Sequence, residues 1–140
     1  KGMPYQDQIT KHICIQGWSA IGQWGGVHVR EIMRRAKPNK DAKYVVFHAY
    51  DVYPNGESYY EALRIGDMKD PLTILAYEMN WKPLNIEHGA PLRLRCERKL
   101  GYKMVKYIKS IEFVADFKDI GKGRGGYRED NVMFDWEASI

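Results

Sequence analysis

Three segments of this sequence carry residues able to do chemistry. In the first, His12-Ile13-Cys14-Ile15-Gln16-Gly17-Trp18-Ser19 puts a thiol in a strand predicted over 11–16, just ahead of a stretch holding Gly17, Gly22, Gly25 and Gly26. Soft thiolate selects thiophilic metals, and a metal-bound thiol is deprotonated, so one cysteine there can anchor a metal whose other ligands come from a cofactor. A lone cysteine also serves as a small buried hydrophobe, and beside His12, His48 or His88 it would be a candidate nucleophile. The second segment, Glu87-His88-Gly89-Ala90-Pro91-Leu92-Arg93, sets an imidazole and a guanidinium at the two ends of a tight turn. Both donate hydrogen bonds and together suit a phosphate or a pterin edge; taken singly, His88 would fix the loop and Arg93 would pair at the surface. The third, Gly101-Tyr102-Lys103-Met104-Val105-Lys106, offers glycine backbone and two lysines as a phosphate clamp, or else a solvated basic turn. No Walker glycine-lysine loop and no GxGxxG occurs, so nucleotide binding by those routes has no support.

These residues need elements to hold them. The spacing predicts a strand over 11–16, a glycine-punctuated loop that also carries Trp18, Ser19 and Trp24, and a helix over 27–36 with Val29, Ile32, Met33 and Ala36 on one face. Further strands are predicted at 44–49, 58–63 and 74–79, at 84–86 and 92–96 on either side of the His88 loop, and at 108–115. Beyond Phe117, Gly121, Gly123, Gly125 and Gly126 lead into Tyr127, as in a tail laid over the surface or the site. Many short strands with one good helix indicate an α+β domain of mixed β-sheets with few helices.

The 140 residues fit one domain, and a hydrophobic fraction of 44% with 13% aromatics is enough for a buried core. No window approaches the roughly 18 to 20 apolar residues of a membrane span, and the start lacks the blocks of a signal peptide. The first residue is Lys1, which allows for further sequence ahead of it and leaves the compartment open. Basic residues number 22 against 18 acidic, a formal charge of +4 that favours anionic ligands. The charges are interspersed and no RNP or zinc-finger pattern occurs, so no nucleic-acid partner is expected. Cys14 and Cys96 form no CxxC pair and no zinc-ligand spacing.

The string Cys14-Ile15-Gln16-Gly17-Trp18-Ser19, followed by Trp24-Gly25-Gly26-Val27 and the helix, resembles the metal-ligand segment of the oxidoreductase molybdopterin-binding domain family, which includes the sulfite oxidases. The His88–Arg93 and Gly101–Lys106 strings resemble that family's pterin-binding loop and phosphate-binding turn, in the same order, and the similarity runs from about residue 11 to about residue 130. The resemblance implies a fold of the sulfite-oxidase molybdopterin-binding type and a molybdenum-molybdopterin cofactor. It implies that Cys14 ligates molybdenum, that His88 and Arg93 contact the molybdopterin, and that Lys106 with the backbone of Met104 and Val105 holds its phosphate end. Asp51 falls near a mid-domain cofactor contact of the family, on a looser match. Tyr127, in Gly125-Gly126-Tyr127-Arg128, matches the place of a tyrosine facing the metal, and Arg124 or Arg128 could orient an oxyanionic or sulfoxide-like substrate.

The function so implied is two-electron oxidoreduction with oxygen-atom transfer, either sulfite oxidation or sulfoxide reduction, with a haem-type protein as electron partner. Family domains have substantial sequence before the cysteine, whereas thirteen residues precede it here. The expectation is therefore a single domain over 1–140 that lacks part of its N-terminal region. A cofactor-free relative acting as a binding or structural domain is the alternative.

Overall fold

The computed structural model describes residues 3–13, 19–97, 99, 101–131 and 136–137. Cys14 and the residues after it through Trp18 lie outside the described set. The chain runs through β1 (Gln6–Ile13), β2 (Ser19–His28), α1 (Val29–Ala36), β3 (Tyr44–Val52), β4 (Ser58–Arg64), β5 (Ile74–Met79), β6 (Lys82–Pro83), β7 (Arg93–Arg95), β8 (Ile108–Val114) and α2 (Tyr127–Asn131). Short 3-10 turns occupy Ile65–Lys69, Ile86–His88 and Gly101–Lys103. One sheet has the order β1-β2-β5-β6, with β7 also paired to β5, and the other has the order β4-β3-β8. Each pairing in these two sheets is antiparallel, and the α+β class expected from the sequence holds.

Alternation along the strands explains where the core lies. Val45, Phe47 and Ala49 of β3 and Leu63 of β4 point one way, and meet Val27, Leu75 and Leu94 from the other sheet in the main cluster. Val46, Tyr60 and Ala62 point the opposite way, under Val114, Phe117, Ile120 and Tyr127 of β8 and the tail. The β4-β3-β8 sheet is thus covered on both faces, which is why Tyr44 to Ala49 reads as a near-continuous apolar run. The tail is laid over this second face.

Helix α1 begins at His28, whose Nδ1 accepts from the Arg30 amide at 3.0 Å while its Nε2 donates to the Asp70 carbonyl at 2.6 Å. Burial lowers the imidazole pKa and favours the neutral ring, which suits one accepting and one donating nitrogen. The helix ends at Lys37, in the left-handed region, with its amide bonded to the Met33 carbonyl. Val29 is buried, and Ile32 and Met33 pack on the core, whereas Ala36 is exposed.

Three predicted elements differ. The glycine-rich loop expected across Gly22, Gly25 and Gly26 is strand β2, and β1 starts at Gln6 rather than at residue 11. These glycines serve close approach within a sheet: a Cβ on Gly26 would lie 2.0 Å from the Leu75 carbonyl oxygen, and the β2–β5 register shifts between Gly25 and Gly26. The strand expected at 84–86 is replaced by β6 and the Ile86–His88 turn, because the Asn85 side chain accepts from the His88 amide at 2.9 Å and caps that turn instead.

Candidate functional site

Gly89 is the point where the His88–Arg93 and Gly101–Lys106 segments converge. Its φ of +106° is left-handed, and a Cβ there would meet Lys106 Cβ at 3.0 Å and Arg93 Cβ at 3.1 Å. Backbone ties hold the segments in register: the Tyr107 amide donates to the Gly89 carbonyl at 3.2 Å, Ile108 to Leu92 at 3.0 Å, and Leu94 to Val105 at 2.8 Å. The Lys106 ammonium turns back to donate to the Glu87 carbonyl at 3.3 Å. His88 is half-buried at the end of its 3-10 turn. Met104 and Val105 are buried, and the Val105 side chain belongs to the main core, so these two residues would meet a ligand with backbone rather than side chain.

Arg93 is 4% exposed; its Nη1 donates to the His88 carbonyl at 3.2 Å, and its Nε is buried with no hydrogen-bond partner among the described residues. Burial, and then the charge of Arg95, pull the Arg93 pKa down to about 9. The Arg93 and Arg95 guanidinium carbons lie 4.7 Å and 4.4 Å from the centroid of the Trp24 ring. Arg95 is matched by Glu97, which accepts from Nε at 2.9 Å and from Nη2 at 2.8 Å. Trp24 Nε1 is likewise buried without a hydrogen-bond partner among the described residues. A buried cation with an unused N–H, beside a second unused donor, is an arrangement that an anion with several acceptor atoms would complete. The donor set therefore fits a ligand bearing phosphate and a polar heterocycle.

The other sequence candidates sit elsewhere. Asp51 is exposed near the end of β3, and its neighbour Tyr50 donates its amide to the Tyr107 carbonyl at 2.9 Å, which brings the strand end beside the Lys106 segment. Tyr127 opens α2, half-buried, with its ring stacked on Tyr53 at 4.1 Å and 11° and tilted against Tyr59 at 5.9 Å. Arg124 and Arg128 are exposed on either side of it. His48 pairs with Glu112 at 2.7 Å. Cys96 is buried, and its sulfur accepts from the Thr73 hydroxyl at 3.8 Å.

Lys103 corrects one expectation. It is not a second clamp lysine, because its ammonium is 1% exposed and lies 2.8 Å from Glu61, 2.7 Å from Glu129 and 3.0 Å from the Ala62 carbonyl. Neither this ion cluster nor the pairing of Arg95 with Trp24 is visible in local spacing. The one available signal was the Arg93-Leu94-Arg95 alternation, which puts two cations on one face of a strand while Leu94 enters the core.

The profile of a known family fits this layout over residues 3–119. The chain belongs to the oxidoreductase molybdopterin-binding domain family. Within it, the chain is 37% identical over 128 residues to a putative protein-methionine-sulfoxide reductase subunit YedZ1 of Azospira oryzae, covering 91% of this chain and 44% of that protein. It is 37% identical over 123 residues to the protein-methionine-sulfoxide reductase catalytic subunit MsrP of Xanthomonas axonopodis, covering 81% of this chain and 38% of that one. The Campylobacter jejuni MsrP is 33% identical over 124 residues, 81% of this chain and 42% of that one. The chain thus spans less than half the length of these curated relatives. Its fold is shared with the sulfane dehydrogenase SoxCD of Paracoccus pantotrophus, at a TM-score of 0.71 and 17% identity over 82% of this chain and 33% of that one. Molybdopterin is the cofactor of this domain family. Among the described residues no helix is long and apolar enough to cross a membrane.

Proposed function

We propose that this chain is the cofactor-bearing part of a molybdenum-dependent enzyme that removes the oxygen atom from sulfoxides, with methionine sulfoxide in proteins as the substrate class. The observation that carries the reading is Arg93, a buried guanidinium with an unused N–H at the convergence of the His88 turn and Lys106. The substrate class is supported by the relatives named as protein-methionine-sulfoxide reductase catalytic subunits.

In this reading Cys14 is the protein's ligand to molybdenum, and His88 and Arg93 donate to the pterin. Lys106 neutralises the phosphate end, with the backbone of Met104 and Val105 completing the turn, and Asp51 contributes from the end of β3. Bound there, the cofactor supplies a thiophilic metal centre that exchanges two electrons and one oxygen atom with sulfur. The net change is sulfoxide plus two electrons and two protons to thioether plus water. Tyr127 donates a hydrogen bond to the sulfoxide oxygen, steadied by Tyr53 and Tyr59, and Arg124 and Arg128 help to orient the substrate. Electrons come from a separate carrier, a haem protein being the expected class; the relatives' names describe subunits, which agrees with a divided enzyme.

The test is steady-state turnover of the molybdenum-loaded protein with a reduced viologen dye and a peptide containing methionine sulfoxide, alongside sulfite with an oxidised dye. Dye oxidation with the sulfoxide and no sulfite oxidation is expected. The converse pattern would assign the domain to sulfite oxidation and reject the substrate proposed.

A further inference from the structure

The Glu61, Lys103 and Glu129 side chains are 0%, 1% and 3% exposed at the residue level, and no role falls to them in the reading above. Two carboxyl groups surround one ammonium, so a neutral cluster requires one further proton. Burial, and the neighbouring Glu129 carboxyl, raise the Glu61 pKa well above the ordinary range, which puts that proton on Glu61. A proton shared from Glu61 to Glu129 also gives partners to carboxyl oxygens that would otherwise be buried without a hydrogen bond.

The connections of this cluster give it a use. Lys103 closes the Gly101–Lys103 turn and leads straight into Met104, Val105 and Lys106. Glu129 lies in α2, two residues after Tyr127. Glu61, in β4, forms a bridge with Gly126, and the Ala62 amide donates to the Gly125 carbonyl at 2.9 Å. Trp136 Nε1 donates at 2.8 Å to the same Ala62 carbonyl that Lys103 uses. A Cβ on Gly126 would strike the Glu61 and Glu129 carboxyl oxygens, so the tail segment is seated closely on the cluster. A second strut runs beside the first: Tyr59 donates to the Tyr102 carbonyl at 2.5 Å, and its ring meets Tyr127.

We infer that Lys103 is a positioning residue that couples the turn holding the cofactor's phosphate end to the segment carrying Tyr127, so that loading the cofactor orders the substrate-facing tyrosine. This rests on the reading of Met104 to Lys106 as the phosphate-holding turn and of Tyr127 as substrate-facing. The coupling runs through the charge contact from 103 to 129, in a place water does not reach, with the part-buried hydroxyl contact from 59 to 102 beside it. A rigid buried link of this kind transmits order only while both ends hold it.

Hydrogen exchange of the same protein with and without its molybdenum cofactor separates the possibilities. In the wild type, cofactor loading should slow exchange at 104–106 and, through Lys103, slow it by about tenfold at 125–131. In Lys103→Met the protection at 104–106 should remain, while that at 125–131 should fall below about twofold. Glu129→Gln keeps the Lys103–Glu61 contact and the shape of the cluster, so it should show an intermediate effect and covers the case in which Lys103→Met folds poorly. Leu75→Ala, a core change in the other sheet, should lower stability yet preserve the protection at 125–131. Cofactor-dependent protection of 125–131 that persists in Lys103→Met overturns the coupling and leaves the phosphate-turn reading intact. No cofactor response at 104–106 in the wild type overturns the phosphate-turn reading itself, and the coupling with it.

Discussion

Arg93 is held in a nearly dry place with one acceptor among the described residues, beside a second arginine whose charge Glu97 already answers. Keeping a guanidinium there costs free energy that an anionic ligand would return. Arg93→Met should therefore weaken cofactor retention by about 10- to 100-fold, the range expected for a charged hydrogen bond of about 1.5–3 kcal/mol, read as molybdenum retained on dilution. The same variant tests the lowered pKa. The folded state releases the Arg93 proton at about pH 9, well below the unfolded chain, so between those values the unfolded chain binds more protons and folding gains as pH rises. The stability of the cofactor-free wild type relative to Arg93→Met should thus be level below about pH 9 and climb above it, in urea unfolding at a series of pH values. His88, Arg93 and Lys106 could be picked out from sequence because they flank one glycine turn and its partner segment. Lys103 was misjudged because its partners are remote in the chain: Glu129 lies 26 residues on, and a lysine beside a glycine looks solvated until its carboxylates are seen.

Strand β2 shows where local rules fail at the scale of elements. Glycines punctuate loops, and four of them between residues 17 and 26 suggested one; three of these lie within β2, where β5 and Tyr5 come too close for side chains at Gly26 and Gly25. Gly26→Ala should destabilise the protein by about 2 kcal/mol or more, in urea unfolding, since the obstacle is backbone that cannot swing aside. The strands with β-branched and aromatic alternation, β3, β4, β5 and β8, were legible because the pattern itself fixes the buried face. Helix α2 is only five residues long and follows from tertiary contacts, so sequence periodicity could not announce it. Its first residue gives a sharp test. Tyr127→Phe keeps the ring on Tyr53 and Tyr59 but removes the hydroxyl, so sulfoxide turnover should fall by about 100-fold with little change in Tm. An unchanged kcat/KM would make Tyr127 a packing residue of the tail alone.

Across the whole molecule, two antiparallel sheets enclose one core while the tail seals the outer face of the second sheet. The buried Glu61–Lys103–Glu129 cluster ties that tail down, and it makes the fold sensitive to pH. Because the Glu61 pKa is raised on folding, the native state binds more protons than the unfolded chain once pH exceeds the ordinary carboxyl value of about 4.3. Its contribution is intact below that value and is lost as pH rises toward the folded pKa. Wild-type Tm measured against Glu61→Gln should therefore decline over that interval, and parallel curves would place the proton elsewhere. The α+β class, the family's three ordered strings and a tail laid over the surface could be read from the sequence, whereas the ion cluster that seats the tail could not, because its charges meet only in the fold.

We propose that Cys14 and the residues around Gly89 hold a molybdenum cofactor. Elemental analysis of the chain purified from a host that makes molybdopterin, with and without Cys14→Ser, tests it most directly. Molybdenum near one per chain in the wild type, with loss of most of it in Cys14→Ser, is the predicted result. Full molybdenum in Cys14→Ser would contradict the thiolate assignment, and none in the wild type would contradict cofactor binding by this chain.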